Sequence, residues 1–262
     1  MMEFPVRATI IGAGNVAWGL APALEKGGKV KICRIIARSI NSAEALASAI
    51  GPEVEASCNL SDSDKDVDLV IVAASDPAIA QIAAGCVGSR AVWLHTSGSV
   101  DSSVLAAASG NYGVVYPMQT FTRGVAVDLS DAPIFIEAST PALLEKISDI
   151  AHSVSSNVRQ ADSIARRRLH CAAVFACNFT NHLWAIADSI AHEAGASIAD
   201  FMPLIDETLR KAKAIGPFEG QTGPARRGAQ SVMKTHEAML NPQQRDIYRL
   251  ISKSIATTYE QN

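Results

Sequence analysis

What this sequence withholds narrows the field before any motif is read. No apolar run reaches the length that spans a bilayer, so a membrane-embedded protein is not expected. The start, MMEFPVRATIIG, lacks the basic segment and long apolar stretch of a secretory signal, which points to a cytoplasmic protein. Basic charge is not in excess: 23 Lys and Arg against 26 Asp and Glu give a net charge of −3. That is no electrostatic footprint for nucleic acid or an anionic membrane. Paired cysteine is missing too. Cys33, Cys58, Cys86, Cys171 and Cys177 are odd in number and contain no C-x-x-C. This argues for a reducing compartment and against a thiolate zinc site. His95, His170 and His182 show neither H-x-x-x-H nor H-E-x-x-H spacing, so no metal is expected. Serines lie in no nucleophile-elbow arrangement, which excludes a hydrolase triad of that kind.

What is present begins with Thr9–Gly19, TIIGAGNVAWG. VRATIIGAG is a short β-rich run that stops at glycine, and NVAWGLAPALEKGG has apolar residues at helical spacing before Gly27-Gly28. The local reading is strand, tight turn, helix, with a G-x-G-x-x-A pattern. Gly12 permits the turn, Gly14 lets a pyrophosphate approach the backbone, and the small Ala17 lets helix and strand pack closely. Asn15, Val16 and Ala17 open the helix, where free N–H groups and the helix dipole favour an anion. A second strand near Val30–Ala37 ends at Arg38-Ser39. An NAD site would place a carboxylate about there for the ribose 2′-hydroxyl. A guanidinium and a hydroxyl instead suit a 2′-phosphate, so the expected cofactor is NADP.

Strands and helices go on alternating through DVDLVIVAAS, DPAIAQIAAGC, RAVWLHTSGS, DSSVLAAAS, YGVVYP, APIFIEAS and TPALLEKISDIAHSV, with NVRQAD as a last short strand. The expected fold class is α/β: a doubly wound, mainly parallel Rossmann-type sheet followed by an all-α C-terminal domain. The boundary is placed at 162, giving a cofactor domain over 1–162 and a helical substrate and dimerisation domain over 163–262. The segment AAVFACNFTNHLWAIADSIA is apolar most of the way round, which reads as core buried by its own domain and by a second subunit of a homodimer.

In such sheets ligands lie beyond the carboxyl ends of the strands. Three polar runs qualify. Ala74 and Ser75 of AASDP, and Thr96, are expected beside the cofactor. His95 is the candidate acid, its ordinary pKa being near neutrality, or else a strand-end histidine bonded locally. Ser97, Ser99 and Gln119 are candidates for substrate oxygens, and Tyr116 reads as an acid or as packing. On the first long helix, Asn178, Asn181 and His182 fall at i, i+3, i+4, with His170 near the same stripe. They face either a substrate pocket or a subunit interface, with Asn178 and His182 taken as catalytic candidates. In QTGPARRG, Gln221–Gly228, Arg226 or Arg227 reads as a clamp for a carboxylate or phosphate, or as a solvated loop.

Taken in order, IGAGNVA, ARS, HTSGS, YPMQTF, HCAAVFACNFTNHL and TGPARRG resemble a bacterial Rossmann-like family with a C-terminal helical domain of unassigned function. That family is related to pyrroline-5-carboxylate reductase, deazaflavin-dependent NADP reductase and the β-hydroxyacid dehydrogenases. The resemblance spans nearly the whole chain and implies an NADP-binding domain and a helical dimerisation domain. Two departures stand out. The dehydrogenases' catalytic Lys four residues before an Asn is absent: Val174 precedes Asn178 and Cys177 precedes Asn181. The acid that usually follows the GPxxRG run is replaced by Ala229. The expected activity is NADP-dependent reduction of a small carbonyl or imine compound, the alternative being a non-catalytic NADP-binding or regulatory protein. A methyltransferase is disfavoured by Arg38-Ser39.

Overall fold

The computed structural model describes residues 4–260. Eight strands form one sheet: β1 (Val6–Ile11), β2 (Val30–Ile36), β3 (Glu55–Ser57), β4 (Leu69–Val72), β5 (Val92–His95), β6 (Tyr112–Pro117), β7 (Ile134–Ala138) and β8 (Val158–Gln160). Their order is β3-β2-β1-β4-β5-β6-β7-β8. Every pairing is parallel except β6 with β7. A parallel step needs a crossover, normally a helix. The chain between β6 and β7 contains no helix, so β7 returns antiparallel. β3, only three residues long and half exposed, has too little apolar pattern to be read from the sequence.

The central strands are buried end to end, as in β4, because helices cover both faces. Helices α1 (Asn15–Lys26), α2 (Ile40–Ile50) and α4 (Pro141–His152) pack on one face through Leu20, Leu46 and Ile147. On the other lies α3 (Asp76–Ala84), through Ile79 and Ala83, with the 3-10 segment Ser102–Ala107. Tyr112, Val114 and Tyr116 alternate onto that second face, where α5 (Ser163–Ala173) packs through Ala165 and Leu169.

The chain divides into two compact units, Met1–Phe175 and Ala176–Asn262. The division thus falls after α5, not before it at 162. The reason is Arg166, a fully buried guanidinium that ties α5 to the sheet. The second unit holds α6 (Thr180–Glu193), α7 (Ile198–Ile215), α8 (Gln230–Met239) and α9 (Pro242–Glu260), and no strand among its described residues. Its burial differs from expectation. Among the described residues only Ala191, Ala225 and Leu240 are buried hydrophobics there, while Leu204 is 63% exposed and Leu250 71%. The segment read as apolar core is therefore largely uncovered. No described helix is long and apolar enough to cross a membrane.

Candidate functional site

The sheet's register fixes where a ligand can go. Ile11 pairs with Ile36 and with Val72, and Val72 pairs with His95, so four adjacent strands end level. From β1 the chain winds to β2 and β3 on one side, and from β4 outward on the other. The crevice opens at that reversal. There a cavity of about 690 Å³ is lined by Gly12, Gly14, Arg38, Ser39, Ala74 and Ser75, a size that suits a cofactor. Six residues singled out from separate stretches of sequence thus meet in one place. Ser42, Cys58 and Gln81 line it as well. No sequence signal marks Cys58, which follows the unread strand β3. Of the other candidates, Asn15 is exposed at the start of α1, Val16 is half-buried and Ala17 is packed into the core, consistent with a spacer between helix and strand. Thr96 is buried, its N–H donating to the Val72 carbonyl at 3.2 Å.

The two glycines do different work. Gly12 has φ +119°, and a Cβ there would lie 2.2 Å from the Ala73 carbonyl oxygen, so it serves the close approach of the β1 and β4 ends. Gly14 has an ordinary φ of −85°, and a Cβ there would meet nothing within 4 Å. Its missing side chain leaves open space at the N-terminus of α1. No side chain caps that end and no acid stands in its first turn, so the donors that a helix leaves unsatisfied face the cavity mouth. The residues present fit a dinucleotide, with room for a pyrophosphate at this helix end.

Arg38 and Ser39 follow β2. Arg38 is exposed and has no hydrogen-bond or ion-pair partner among the described residues, whereas Arg34, on the strand itself, is paired with Glu55 at 2.6 Å. Ser39 is the N-cap of α2 but makes no capping bond, and α2 has no acid in its first turn. An unused cation, an unused hydroxyl and a helix N-terminus therefore stand together, and no carboxylate lines the cavity.

Of the two readings of His95, the structure shows the local bond of the second. His95 is fully buried, and its Nδ1 accepts the Ser97 N–H at 3.1 Å. Nε2 then carries the proton and finds no partner among the described residues. Burial, and after it the Arg166 cation, push its pKa down to about 4. His95 is thus neutral at neutral pH, a locally bonded strand-end histidine rather than an imidazolium acid. Below the ordinary value of 6.5 the unfolded chain takes up a proton that the folded chain refuses. Stability is complete above about pH 6.5 and falls as pH drops toward 4, by about 3 kcal/mol for this group. In denaturant titrations between about pH 7 and about pH 5, His95→Asn should show a shallower loss than wild type. Equal slopes would mean that His95 does not carry this dependence.

Around the ends of β5 and β6 the polar groups are built into one assembly. Ser97 Oγ accepts from the Ser99 and Val100 amides at 3.0 and 3.1 Å, so it shapes its own loop first. Ser99 is half-buried; Gln119 is exposed, its Oε1 taking the Thr120 N–H. Arg166 donates to the Ser97 carbonyl at 3.1 Å, to the Val100 carbonyl at 2.6 Å, to Ser163 Oγ and to Glu137. Glu137 also receives the hydroxyls of Ser102 and Ser163 at 2.8 and 2.9 Å. Arg166 carries no sequence signal because Arg166-Arg167-Arg168 looks like a solvated run, and its two neighbours are indeed exposed. One turn on, His170 Nδ1 lies 3.0 Å from the Tyr116 hydroxyl.

In the second unit Asn178, Asn181 and His182 are exposed. The stripe expected to join them to His170 is interrupted by a π-helical turn, Val174–Phe179, which breaks the regular helical spacing. Arg226 stacks over the Tyr259 ring at 4.1 Å, so the expected clamp is engaged within its own unit. No group of His, Cys, Asp and Glu among the described residues is arranged to hold a metal, and all five cysteines are free thiols.

Comparison with known proteins accords with this geometry. Residues 7–92 match the family "NADP oxidoreductase coenzyme F420-dependent", and residues 132–255 match a domain of unknown function, DUF2520. No curated protein matches the chain. A Bacteroides fragilis structure described as a "putative NADP oxidoreductase" is 38% identical, with 96% of this chain and 98% of that one covered and a TM-score of 0.90. A Thermotoga maritima protein, 22% identical, covers 97% and 98% with a TM-score of 0.71. A reductive aminase from Aspergillus terreus, solved with NADPH and ethyl-5-oxohexanoate, is 16% identical over 98% and 93%, with a TM-score of 0.67. The last two share the fold. With the level strand ends, the glycine cradle and the first of these likenesses together, the chain belongs to the family of the Bacteroides fragilis protein, a family of Rossmann-type NADP-dependent oxidoreductases with a helical C-terminal region.

Proposed function

We propose that this protein reduces a small carbonyl or imine compound with NADPH, holding the cofactor in the crevice between β1 and β4. The observation that carries this is the set Gly14, Arg38 and Ser39: open space at one helix N-terminus, an unpaired cation and hydroxyl at the next, and no opposing carboxylate. On this reading the amides opening α1 hold the pyrophosphate and Arg38 with Ser39 hold the 2′-phosphate. Ala74 and Ser75, which lead into α3, line the same cavity. When bound, the cofactor supplies a hydride. The chain supplies the position of the substrate, shelter from water and a proton. Asn178, Asn181 and His182 are offered as substrate-side groups of the helical unit. A second copy is the expected cover for that unit's uncovered apolar side chains, and light scattering that finds a monomer would remove this part of the reading.

Cofactor titration tests the central claim. A charged hydrogen-bond pair contributes about 1.5–3 kcal/mol, so Arg38→Ala should weaken NADPH binding by about ten- to a hundredfold and leave NADH nearly unchanged. Arg38→Asp should reverse the preference, because a carboxylate repels the phosphate and accepts from the free hydroxyl. Equal weakening of both cofactors would remove Arg38 from the phosphate. Cofactor oxidation across a panel of oxo- and imino-acids tests the reductase reading. Tight NADPH binding without turnover on any of them favours the non-catalytic alternative.

A further inference from the structure

We propose, resting on the reductase reading above, that Tyr116 donates the proton to the substrate and that His170 positions and polarises its hydroxyl. The geometry starts from α5. Ser163, Arg166 and His170, at i, i+3 and i+7, share one stripe of that helix. The first two bind Glu137 and the loop after β5. The third reaches Tyr116 at the carboxyl end of β6. Arg166 is fully buried and holds two loop carbonyls, so the stripe fixes where the imidazole stands.

The loop packs tightly on that ring. A Cβ on Gly98 would lie 2.8 Å from three atoms of His170, so only glycine lets the loop after β5 pass the imidazole. The phenol is fixed on two sides. Its ring stacks with Phe135 at 6.3 Å between centroids and meets His170 edge-on at 5.9 Å. A residue needed only to pack on Phe135 requires no hydroxyl. Here the hydroxyl is present and given a titratable partner, at the ends of adjacent strands on the edge where this kind of sheet binds its ligands.

The chemistry balances. As a hydride adds to the carbonyl or imine carbon, the C=X π pair moves to the heteroatom. That atom takes the Tyr116 proton: the phenolic O–H bond breaks and a new O–H or N–H bond forms. The substrate is reduced and NADPH is oxidised. The phenolate left behind accepts the Nδ1–H of His170 and regains its proton from water. This requires the tautomer of His170 that carries hydrogen on Nδ1, since a tyrosine hydroxyl that instead donates to Nδ1 has committed its proton.

Two measurements decide it. Nitrogen NMR of the protein labelled in histidine, with His170 assigned from its loss in His170→Gln, should show Nδ1 protonated and its signal shifted in Tyr116→Phe. An unprotonated Nδ1 overturns the proposal without any turnover being measured. On a substrate from the oxo- and imino-acid panel, Tyr116→Phe should lower kcat by about a hundredfold or more with NADPH affinity unchanged. His170→Gln should lower kcat by about tenfold and leave KM alone, the split expected of a residue acting in the transition state. Tyr116→Phe turnover within about threefold of a working wild type overturns the donor role alone. Wild type that binds NADPH and oxidises it with none of the panel overturns the reductase reading, and the donor role with it.

Discussion

Gly14→Val should abolish useful NADPH binding in a protein that folds and melts like wild type. The Cβ of a residue at position 14 meets no protein atom within 4 Å, and φ there is −85°, which valine adopts without strain. The branched side chain fills the only thing the glycine provides, the approach to the α1 amides. At least two charge-assisted bonds of about 1.5–3 kcal/mol each are lost, so affinity should fall by more than about a hundredfold. Gly12→Ala is the contrast. Its Cβ collides with the Ala73 carbonyl at a φ of +119°, so it should lower the melting temperature before it affects the cofactor. Fluorescence titration with NADPH beside thermal melts separates the two. Unchanged affinity in Gly14→Val would remove the pyrophosphate from this turn.

Arg166→Ala should cost about 3–5 kcal/mol of folding stability, the range for breaking a buried ion pair from one side. The side chain is fully buried and satisfies the Ser97 and Val100 carbonyls, Ser163 and Glu137. Removing it strands a carboxylate whose remaining partners are the two serine hydroxyls. It also releases the loop after β5 from α5. Glu137→Gln should also destabilise, because the amide oxygen still accepts from Arg166 but leaves the buried guanidinium without a counter-charge. Urea unfolding measures both. A loss under about 1 kcal/mol for Arg166→Ala would mean that α5 is held by apolar contacts alone.

Part of the site was legible because it depends on local geometry. A G-x-G-x-x-A turn between a strand and a helix suits an anion by itself, and a cation two residues past the next strand is the feature on which the proposed 2′-phosphate contact rests. The assembly around Tyr116 was not legible. Tyr116, Glu137 and Arg166 come from three separated stretches, and each alone has an ordinary explanation: packing, a solvated acid, a charged helix face. His95 shows the same limit in reverse. Its residue type suggested an acid, but burial, a tertiary quantity, makes it neutral.

The sequence by itself determined the alternation of strands and helices, the dinucleotide turn and the choice of NADP, because these follow from periodicity and from contacts a few residues apart. Only the tertiary structure decided that α5 belongs with the sheet, that β7 runs antiparallel and that Tyr116 meets His170. Each of these depends on groups distant in sequence being brought together, and the place of α5 depends also on one buried guanidinium whose charge has to be met by whatever the fold places beside it.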